Sequence, residues 1–425
     1  MSEKFQIINA KDALGKDLDL KIEEERIVQS FATNSEVTKI DAKGATLIPG
    51  LVDLHTHLRE PGREDAETVL TACQAAVAGG YTAISAMPNT SPVADTAGVV
   101  EQVFRLGKSH GICDVFPIGA VTVDLAGKAM AEIVAMNKSA AGVRIFSDDG
   151  HCVSDPLVMR RALEYVKNFD GVIAQHAQDP RLTDGAQMNE GVVSSIIGLK
   201  GWPAVAEESI IARDVLLAEH VNSRVHICHV STAGSVEIIR WAKARGIKVT
   251  AEVTPHHLIL TDELARGFNP VYKVNPPLRT EADVQALREG VADGTIDIIA
   301  TDHAPHPAES KECEWNAAAF GMIGLETALS VSYEALVQTK LITLQDLIRC
   351  MSSNPASIGK YEGHGSLTAG SYANFVLIDL DKEWTVDAAE MKSKSKNTPF
   401  AKRNVPVTVN STYFKGKLVH QGGTR

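Results

Sequence analysis

The chain has 425 residues, of which 44% are hydrophobic and 22% charged, and its formal net charge is −11 at pH 7. Because domains usually hold about 100 to 200 residues, this length predicts two or three domains, or one barrel with an accessory unit. The negative charge argues against nucleic acid and anionic membrane surfaces as partners, since both select basic patches. No stretch approaches the roughly 20 uninterrupted apolar residues of a membrane-spanning helix.

The N-terminal residues 1–4 lack the basic and then apolar pattern of a secretory signal peptide, so we expect a cytoplasmic protein. The six cysteines include no Cys-x-x-Cys pair and stand at positions 73, 113, 152, 228, 313 and 350. This spacing supports neither a disulfide framework nor a thiolate zinc site. We expect most of them to be small buried side chains.

Between residues 50 and 300 the sequence repeats one pattern, in which a short apolar segment is followed by a polar loop and a helical segment. Eight apolar segments are predicted to be strands: 51–57, 82–87, 114–119, 142–147, 171–176, 224–229, 248–253 and 296–301. Helices are predicted over 66–78 and 235–245, where Gly79-Gly80 and Gly246 suit left-handed caps. Eight such units predict a parallel (β/α)8 TIM barrel in the α/β class, with a doubly wound open sheet as the alternative.

The two ends of the chain lack this alternation of strands and helices. They carry short β-like runs at 5–8, 45–48, 373–378, 408–413 and 417–420. We expect residues 1–49 and 355–425 to fold together as a small β-sandwich domain. Residues 50–354 would then form the barrel, which the chain enters at Pro49-Gly50.

His55 and His57 end the first predicted barrel strand. Because successive side chains of a strand alternate between its faces, the two imidazoles project from the same side, with Cα atoms roughly 6.5 to 7 Å apart. Two such imidazoles can converge on zinc or a similar metal ion. A pair of surface histidines is the alternative, but an apolar strand precedes this pair, and metal-capable residues recur at later strand ends.

The metal-capable residues stand at the ends of five predicted strands: His55 and His57, then Asp148-Asp149, His176, His229 and Asp302. In a barrel these ends meet at one rim, where active sites of this fold lie. Four histidines and two carboxylates suit two metal ions, which lower the pKa of a bound water and polarise a carbonyl. The spacing leaves open whether Asp148 or Asp149 bridges the metals and whether one ion or two are bound.

Eight motifs in this order resemble those of one known family: HTHLREPG (55–62), MPNT (87–90), SDDG (147–150), QHA (175–177), CHVS (228–231), KVNPPLR (273–279), TDHAPH (301–306) and FG (320–321). The set resembles bacterial type I dihydroorotases, which belong to the amidohydrolase superfamily. The likeness spans nearly the whole chain, whereas TDHAPH or HTH alone would indicate only the superfamily. It implies a metal-dependent (β/α)8 barrel with a small sandwich built from both termini.

The resemblance also implies a role for each metal-capable residue. Five positions match zinc ligands: His55 and His57 for the first ion, His176 and His229 for the second, and Asp149 as the bridging carboxylate. Asp302 resembles the catalytic residue, which ligates metal, takes a proton from the attacking hydroxide and delivers it to the leaving ring nitrogen. The implied cofactor is Zn2+, with two ions per subunit favoured over one.

A substrate-binding set is implied in the same way: His57, Arg59, Asn89, Asn275, His306, Phe320 and Gly321. Arg59, Asn89 and His306 would hold an exocyclic carboxylate, because a guanidinium forms bidentate, charge-assisted hydrogen bonds with carboxylates. Asn275 and the backbone near Phe320-Gly321 would contact the ring amides.

Two of these expectations have simpler alternatives. Arg59 could instead form a salt bridge with Glu60 or Glu64. The segment 304–319 is expected to form a mobile loop that closes over the substrate, and its alternative is an ordinary surface loop.

The function implied is a zinc-dependent dihydroorotase that interconverts L-dihydroorotate and N-carbamoyl-L-aspartate in de novo pyrimidine biosynthesis. The first alternative is a related amidohydrolase acting on hydantoins, dihydropyrimidines or allantoin. Such relatives typically bridge their metals with a carbamylated lysine, and residues 142–150 contain no lysine. The second alternative is an inactive scaffold partner of aspartate transcarbamoylase, but here every ligand position is filled. We expect a small-molecule substrate and a homodimer, and association with aspartate transcarbamoylase stays open.

Overall fold

The computed structural model describes residues 4–32 and 36–422. The extreme ends of the expected 1–49 and 355–425 domain, residues 1–3 and 423–425, lie outside these ranges. Residues 1–3 also belong to the N-terminal segment whose pattern argues against a signal peptide. No helix within the described ranges is long and apolar enough to cross a membrane.

Twenty strands form in the described part of the chain and are numbered here in chain order. They are β1 (Lys4–Lys11), β2 (Asp17–Glu23), β3 (Arg26–Val28), β4 (Thr38–Asp41), β5 (Thr46–Pro49), β6 (Leu51–Thr56), β7 (Tyr81–Ala86), β8 (Asp114–Pro117), β9 (Ile145–Phe146), β10 (Val172–Gln175), β11 (Met188–Asn189), β12 (Gly201–Trp202), β13 (Val225–Ile227), β14 (Val249–Val253), β15 (Ile298–Ile299), β16 (Phe375–Asp379), β17 (Trp384–Thr385), β18 (Asn404–Val405), β19 (Thr408–Phe414) and β20 (Lys417–Gln421).

Eight parallel strands form the barrel in two hydrogen-bonded groups, β6 to β8 and β9-β10-β13-β14-β15. A parallel bridge between Gly119 and Phe146 joins β8 to β9, and one between Thr56 and His303 joins β6 to the segment after β15. The ring is therefore closed, whereas an open sheet would keep two unpaired edges. The predicted barrel is confirmed, and the doubly wound alternative is wrong.

Seven of the eight barrel strands are shorter than the sequence predicts, and β9 and β15 are shortened the most, to two residues each. β15 covers Ile298–Ile299 instead of 296–301, because the Thr301 N–H donates to the Asp53 carboxylate (3.1 Å) and leaves the strand ladder. β9 covers Ile145–Phe146 instead of 142–147, because Gly142 adopts a left-handed turn conformation with φ 58°.

Twelve α-helices lie in the described ranges: α1 (Val69–Ala78), α2 (Ala97–His110), α3 (Ile133–Lys138), α4 (Pro156–Lys167), α5 (Val192–Ile197), α6 (Val205–Val221), α7 (Ala233–Ala244), α8 (Glu281–Ala292), α9 (Ala308–Lys311), α10 (Ala328–Ser332), α11 (Leu344–Ile348) and α12 (Asn354–Gly359). Short π-helical turns continue α10 and α11 over Tyr333–Gln338 and Arg349–Ser353. Four 3-10 turns occupy Val123–Leu125, Asp262–Gly267, Pro270–Tyr272 and Ala388–Glu390.

Helix α1 begins three residues later than predicted, because Thr68 caps it. The Thr68 hydroxyl accepts a hydrogen bond from the Thr71 N–H, and the Thr71 hydroxyl accepts one from the Thr68 N–H. At the other end only Gly80 is left-handed, with φ 89°, whereas Gly79 has φ −86°. Gly79 is instead required for close packing, since an added Cβ would lie 2.0 Å from the carbonyl oxygen of Leu325.

The two ends of the chain meet in a separate sheet with the order β20-β19-β16-β5-β1-β2-β3, in which β4 pairs with β1. N-terminal strand β5 pairs antiparallel with C-terminal strand β16, so that Leu47 lies opposite Leu377. Ile7, Ile22 and Phe375 belong to its buried hydrophobic core. The termini therefore form one β domain, as expected, and its exact residue boundaries stay a prediction.

Candidate active site

Asp149 lies at the centre of a cluster of histidines at the carboxyl ends of the barrel strands. Its carboxylate oxygens lie 3.1 to 3.4 Å from one ring nitrogen of each of four residues: His55 (Nε2), His57 (Nε2), His176 (Nδ1) and His229 (Nε2). Each of these histidines lies within two residues of the carboxyl end of a barrel strand. The fold thus brings together side chains that are far apart in sequence.

Asp302 completes the cluster, with Oδ1 3.1 Å from His57 Nε2 and 3.5 Å from His55 Nε2. All six residues are buried, with exposed fractions of at most 5%. Asp302 and His229 also adopt positive φ angles of 46° and 29°. Such backbone conformations are costly for residues other than glycine and concentrate at functional sites.

Asp148 points away from this cluster. Its Oδ1 accepts hydrogen bonds from the N–H groups of Val121 (2.8 Å) and Thr122 (2.9 Å), and its Oδ2 accepts one from the Thr122 hydroxyl. Asp148 therefore fixes the loop after β8. Of the Asp-Asp pair, only Asp149 lies among the histidines.

The hydrogen bonds of the histidines show which nitrogen atoms are free to bind a metal. Three ring nitrogens donate outward to oxygen acceptors: His55 Nδ1 to Glu252, His57 Nδ1 to Asn89 (2.9 Å) and His176 Nε2 to Gln178 (2.6 Å). In a neutral ring the opposite nitrogen carries a lone pair, and here it faces carboxylate oxygens. Such contacts are repulsive unless the ring is protonated on both nitrogens or a cation lies between the two atoms, so this set of residues fits divalent metal ions.

One unpaired atom supports the same conclusion. His55 Nε2 is buried and has no hydrogen-bond partner in the described part of the structure. Within the described residues, three groups are close enough to hold an ion: His55–His57–Asp149, Asp149–His176–His229 and His55–Cys228–Glu252. The first two share Asp149. The barrel rim therefore contains residues able to bind metal.

Electrostatics couples the members of the cluster. Burial alone would lower the pKa of His55, but the carboxylates of Asp149, Glu252 and Asp302 raise it well above its ordinary value. Burial alone would raise the pKa of Asp149, but the charge of His55 and the hydrogen bonds from His176 and His229 hold it well below its usual range. The buried carboxylates thus favour positive charge among the histidines, which bound cations would also supply.

Two residues that orient the histidines, Glu252 and Gln178, were not predicted from the sequence. Glu252 on β14 also accepts hydrogen bonds from His226 Nε2 (3.0 Å) and from the His229 N–H (3.1 Å). Gln178 also accepts one from Asn275 Nδ2 (3.1 Å). A carboxylate between two apolar residues near the end of a predicted barrel strand was a signal for Glu252, whereas Gln178 gave no such signal.

A cavity of about 210 Å³ opens beside the metal-capable residues. All seven predicted substrate-binding residues line it: His57, Arg59, Asn89, Asn275, His306, Phe320 and Gly321. Asp149, His176 and Asp302 line the same cavity. A bound molecule would therefore contact both groups of residues at once.

Arg59 is a buried cation in the wall of this cavity. Its Nε donates to the carbonyl oxygen of Pro305 (3.1 Å), and one terminal nitrogen lies 3.4 Å from His306 Nε2. Burial, followed by the nearby charge of Arg63, lowers the pKa of Arg59 to about 10, so the guanidinium stays charged at neutral pH.

The alternative salt bridges of Arg59 are not formed. Glu60 accepts a hydrogen bond from the Val69 N–H (2.9 Å), and Glu64 accepts one from the Gly62 N–H (2.7 Å). Within residues 4–32 and 36–422, Arg59 pairs with neither carboxylate. Its charge is therefore available to an anionic ligand.

His306 and Gly321 pack closely at the edge of the cavity. His306 Nε2 donates to the carbonyl oxygen of Phe320 (2.8 Å), and burial together with the charge of Arg59 lowers the pKa of His306 to about 3. Gly321 has φ 142°, and an added Cβ would lie 2.8 Å from His306 Nε2, so only glycine fits there. The preceding segment, residues 304–319, contains α9, and its predicted mobility stays a prediction.

Comparison with known proteins places the chain in a family. Residues 44–235 match the family model described as dihydro-orotase-like. The dihydroorotase of Streptomyces coelicolor is 64% identical over 420 residues, which cover 97% of both chains, and that of Mycobacterium tuberculosis is 51% identical over 413 residues, which cover 96% of both. The chain belongs to the dihydroorotase family. The predicted family and its enzyme class, the cyclic amide hydrolases, are confirmed.

Solved structures of related enzymes have the same fold as this member of the family. The L-hydantoinase of Arthrobacter aurescens superposes with a TM-score of 0.87 at 26% identity and covers 100% of this chain and 97% of its own. A dihydropyrimidinase from Brevibacillus agri NCHU1002 gives a TM-score of 0.82 at 21% identity and covers 98% and 95%, a likeness in fold alone.

Proposed function

We propose that this protein catalyses the zinc-dependent, reversible hydrolysis of L-dihydroorotate to N-carbamoyl-L-aspartate in pyrimidine biosynthesis. One observation carries the proposal: the metal-capable cluster and the guanidinium of Arg59 share one cavity, and no side-chain carboxylate pairs with Arg59 in the described structure. Dihydroorotate combines the two features that such a cavity requires, a cyclic amide and a carboxylate beside the ring.

His55, His57, His176, His229 and Asp149 would hold the metal. Bound Zn2+ would lower the pKa of water and polarise the ring carbonyl. Two ions are favoured over one, because the two histidine pairs form separate triads with Asp149.

The other residues supply orientation and proton transfer. Arg59, with Asn89 and His306, would hold the exocyclic carboxylate and so fix which ring amide faces the metal-capable cluster. Asn275 and the backbone at Phe320-Gly321 would contact the ring amides. Asp302 would take the proton of the attacking water and deliver it to the departing ring nitrogen.

The decisive experiment compares substrates. Purified, zinc-loaded protein is assayed on L-dihydroorotate, hydantoin, dihydrouracil and allantoin. We expect kcat/KM to be clearly highest for dihydroorotate, because it is the only one of the four substrates that offers a carboxylate to Arg59. A clear preference for any of the other three would overturn the proposal, and no activity on any of them would favour the scaffold alternative.

The remaining expectations concern metal identity, assembly and location. Anomalous scattering at the zinc edge would identify and count the ions. Sedimentation would test the expected homodimer, and co-purification would test association with aspartate transcarbamoylase. Cell fractionation would test the expected cytoplasmic location.

A further inference from the structure

Lys311, at the end of α9, is buried, with an exposed fraction of 6%. Burial, followed by the nearby charge of Lys273, lowers the pKa of its ammonium group to about 7. Its Nζ donates hydrogen bonds to three backbone carbonyl oxygens: those of Lys273 (3.0 Å), Ala319 (2.8 Å) and Gly321 (3.0 Å). An ammonium has three protons, so these bonds use all of its donors. In the part of the chain that the structure describes, no carboxylate lies within ion-pair distance of it.

The three carbonyl groups belong to the two segments that deliver one face of the cavity. We call Asn275, Phe320 and Gly321 the ring wall, because these are the residues expected to contact the substrate ring. The Gly321 N–H also donates to the carbonyl oxygen of Lys273 (3.0 Å). Lys311 thus crosslinks the 319–321 backbone to the 273–275 backbone directly behind the ring wall.

A second side chain holds the same wall from another direction. Asn397 Nδ2 donates to the carbonyl oxygens of Ala304 (3.0 Å) and Gly321 (3.2 Å), and its Oδ1 accepts from the His306 N–H (3.2 Å). Gly321 is therefore fixed by both Lys311 and Asn397. In the described structure Asn397 makes no hydrogen bond to residues 273–275. Of these two side chains, only Lys311 therefore joins both segments of the ring wall.

A buried ammonium without a carboxylate is costly for folding, because desolvation of the charge is only partly offset by hydrogen bonds to carbonyl groups. A methionine of similar length would fill the same space without that cost. What it would not provide is the crosslink between the two segments of the ring wall. The arrangement therefore points to a role in the site.

We propose that Lys311 is a positioning residue for substrate recognition, which holds the ring wall at the distance that the amide edge of the substrate requires. This inference rests on the proposed function, since the cyclic amide is taken as the ligand of the ring wall. Lys311 itself touches neither the substrate cavity nor the metal-capable residues. Its effect is expected on binding and much less on the chemical step.

The test uses Lys311→Met, which removes the donors at similar length, and Lys311→Gln, which restores part of them. Lys243→Met is the control for loss of a lysine elsewhere in the barrel, because Lys243 donates to the carbonyl oxygen of Gly294 (3.0 Å) and to the carboxylate of Asp297 (2.7 Å) and does not line the cavity. For each full-length, zinc-loaded variant, kcat and KM for L-dihydroorotate, zinc content and Tm are measured.

We expect Lys311→Met to raise KM about tenfold, the effect of losing about one hydrogen bond between the displaced ring wall and the substrate, with kcat changed much less and zinc content unchanged. Lys311→Gln should give an intermediate KM, and Lys243→Met should keep the wild-type KM even at an equal loss of Tm.

Three results would overturn the proposal: an unchanged KM in Lys311→Met, an equal rise in KM in Lys243→Met, or loss of zinc from Lys311→Met. If neither Lys311 variant folds, Lys311 is a residue of stability alone and the proposal is also overturned. If the wild-type protein prefers another cyclic amide, the proposed function fails, but the same variants on that substrate still decide the role of Lys311.

Discussion

Arg59 is the residue that separates a carboxylate-bearing substrate from a bare ring. Replacing it by Met should lower kcat/KM for dihydroorotate by about 2–4 kcal/mol, because a bidentate, charge-assisted pair is lost. Steady-state kinetics measure the effect, and Arg63→Met, which removes a neighbouring exposed arginine, is the control. Unchanged kinetics in Arg59→Met would remove Arg59 from the site.

Asp149 and Asp148 provide a matched pair of substitutions. Asp149→Ala should lower zinc content or activity, because this carboxylate lies between the four histidines. Asp148→Ala should mainly lower Tm, because it leaves the N–H groups of Val121 and Thr122 without their acceptor. Metal analysis and thermal unfolding distinguish the two, and the reverse order would show that Asp148 is the metal ligand.

Glu252 orients His55 through the nitrogen that does not face Asp149. Glu252→Gln should lower zinc affinity about 10- to 100-fold, since acceptors behind a metal-binding histidine fix its tautomer and ring orientation. Competition with a chelating dye gives the affinity. The control is Glu207→Gln, another buried glutamate, which accepts a hydrogen bond from the Ser231 N–H (2.9 Å) outside the cluster. Equal zinc affinity in both variants would contradict this role.

At the scale of elements, capping residues decide where helices begin. Thr280 caps α8 by accepting a hydrogen bond from the Asp283 N–H, and the Asp283 carboxylate accepts from the Thr280 N–H. Thr280→Ala should lower the free energy of unfolding by about 1 kcal/mol, whereas Thr280→Ser keeps the hydroxyl and should change it little. Denaturant unfolding measures both, and equal stabilities would show that this cap contributes nothing.

The barrel strands show which features follow from the local sequence and which depend on contacts between distant residues. The apolar runs of the barrel strands were predicted from the sequence, because a parallel strand buried on both faces consists of consecutive apolar residues. The ends of β9 and β15 were not predicted. The left-handed Gly142 limits strand β9, and the hydrogen bond from the Thr301 N–H to Asp53 limits strand β15. Asp53 and Thr301 are 248 residues apart in sequence, so this hydrogen bond forms only when the first and last barrel strands meet.

At the scale of the whole molecule, the metal-capable cluster joins five barrel strands, so bound metal should stabilise the closed barrel. Removing metal with a chelator should abolish activity and lower Tm, because an ion that binds the folded state only shifts unfolding by mass action. Adding Zn2+ should restore both. Asp149→Ala should show a much smaller chelator effect on Tm, and an equal effect in that variant would place the stabilising metal elsewhere.

The sequence by itself determined the barrel, the pairing of the two termini in one β domain, and the residues that gather at the rim. These follow from local patterns, since hydrophobic runs define strands and parallel strands place their carboxyl ends together. Motif resemblance added the family, which the comparisons confirmed.

Only the tertiary structure decided how individual side chains are oriented. It turned Asp149 toward the histidines and Asp148 toward the backbone at 121–122, a choice between neighbours that spacing cannot make. It also brought Glu252 behind His55 and placed Lys311 behind the ring wall. These contacts join segments far apart in sequence, and hydrogen-bond geometry between such segments exists only once the whole chain has folded.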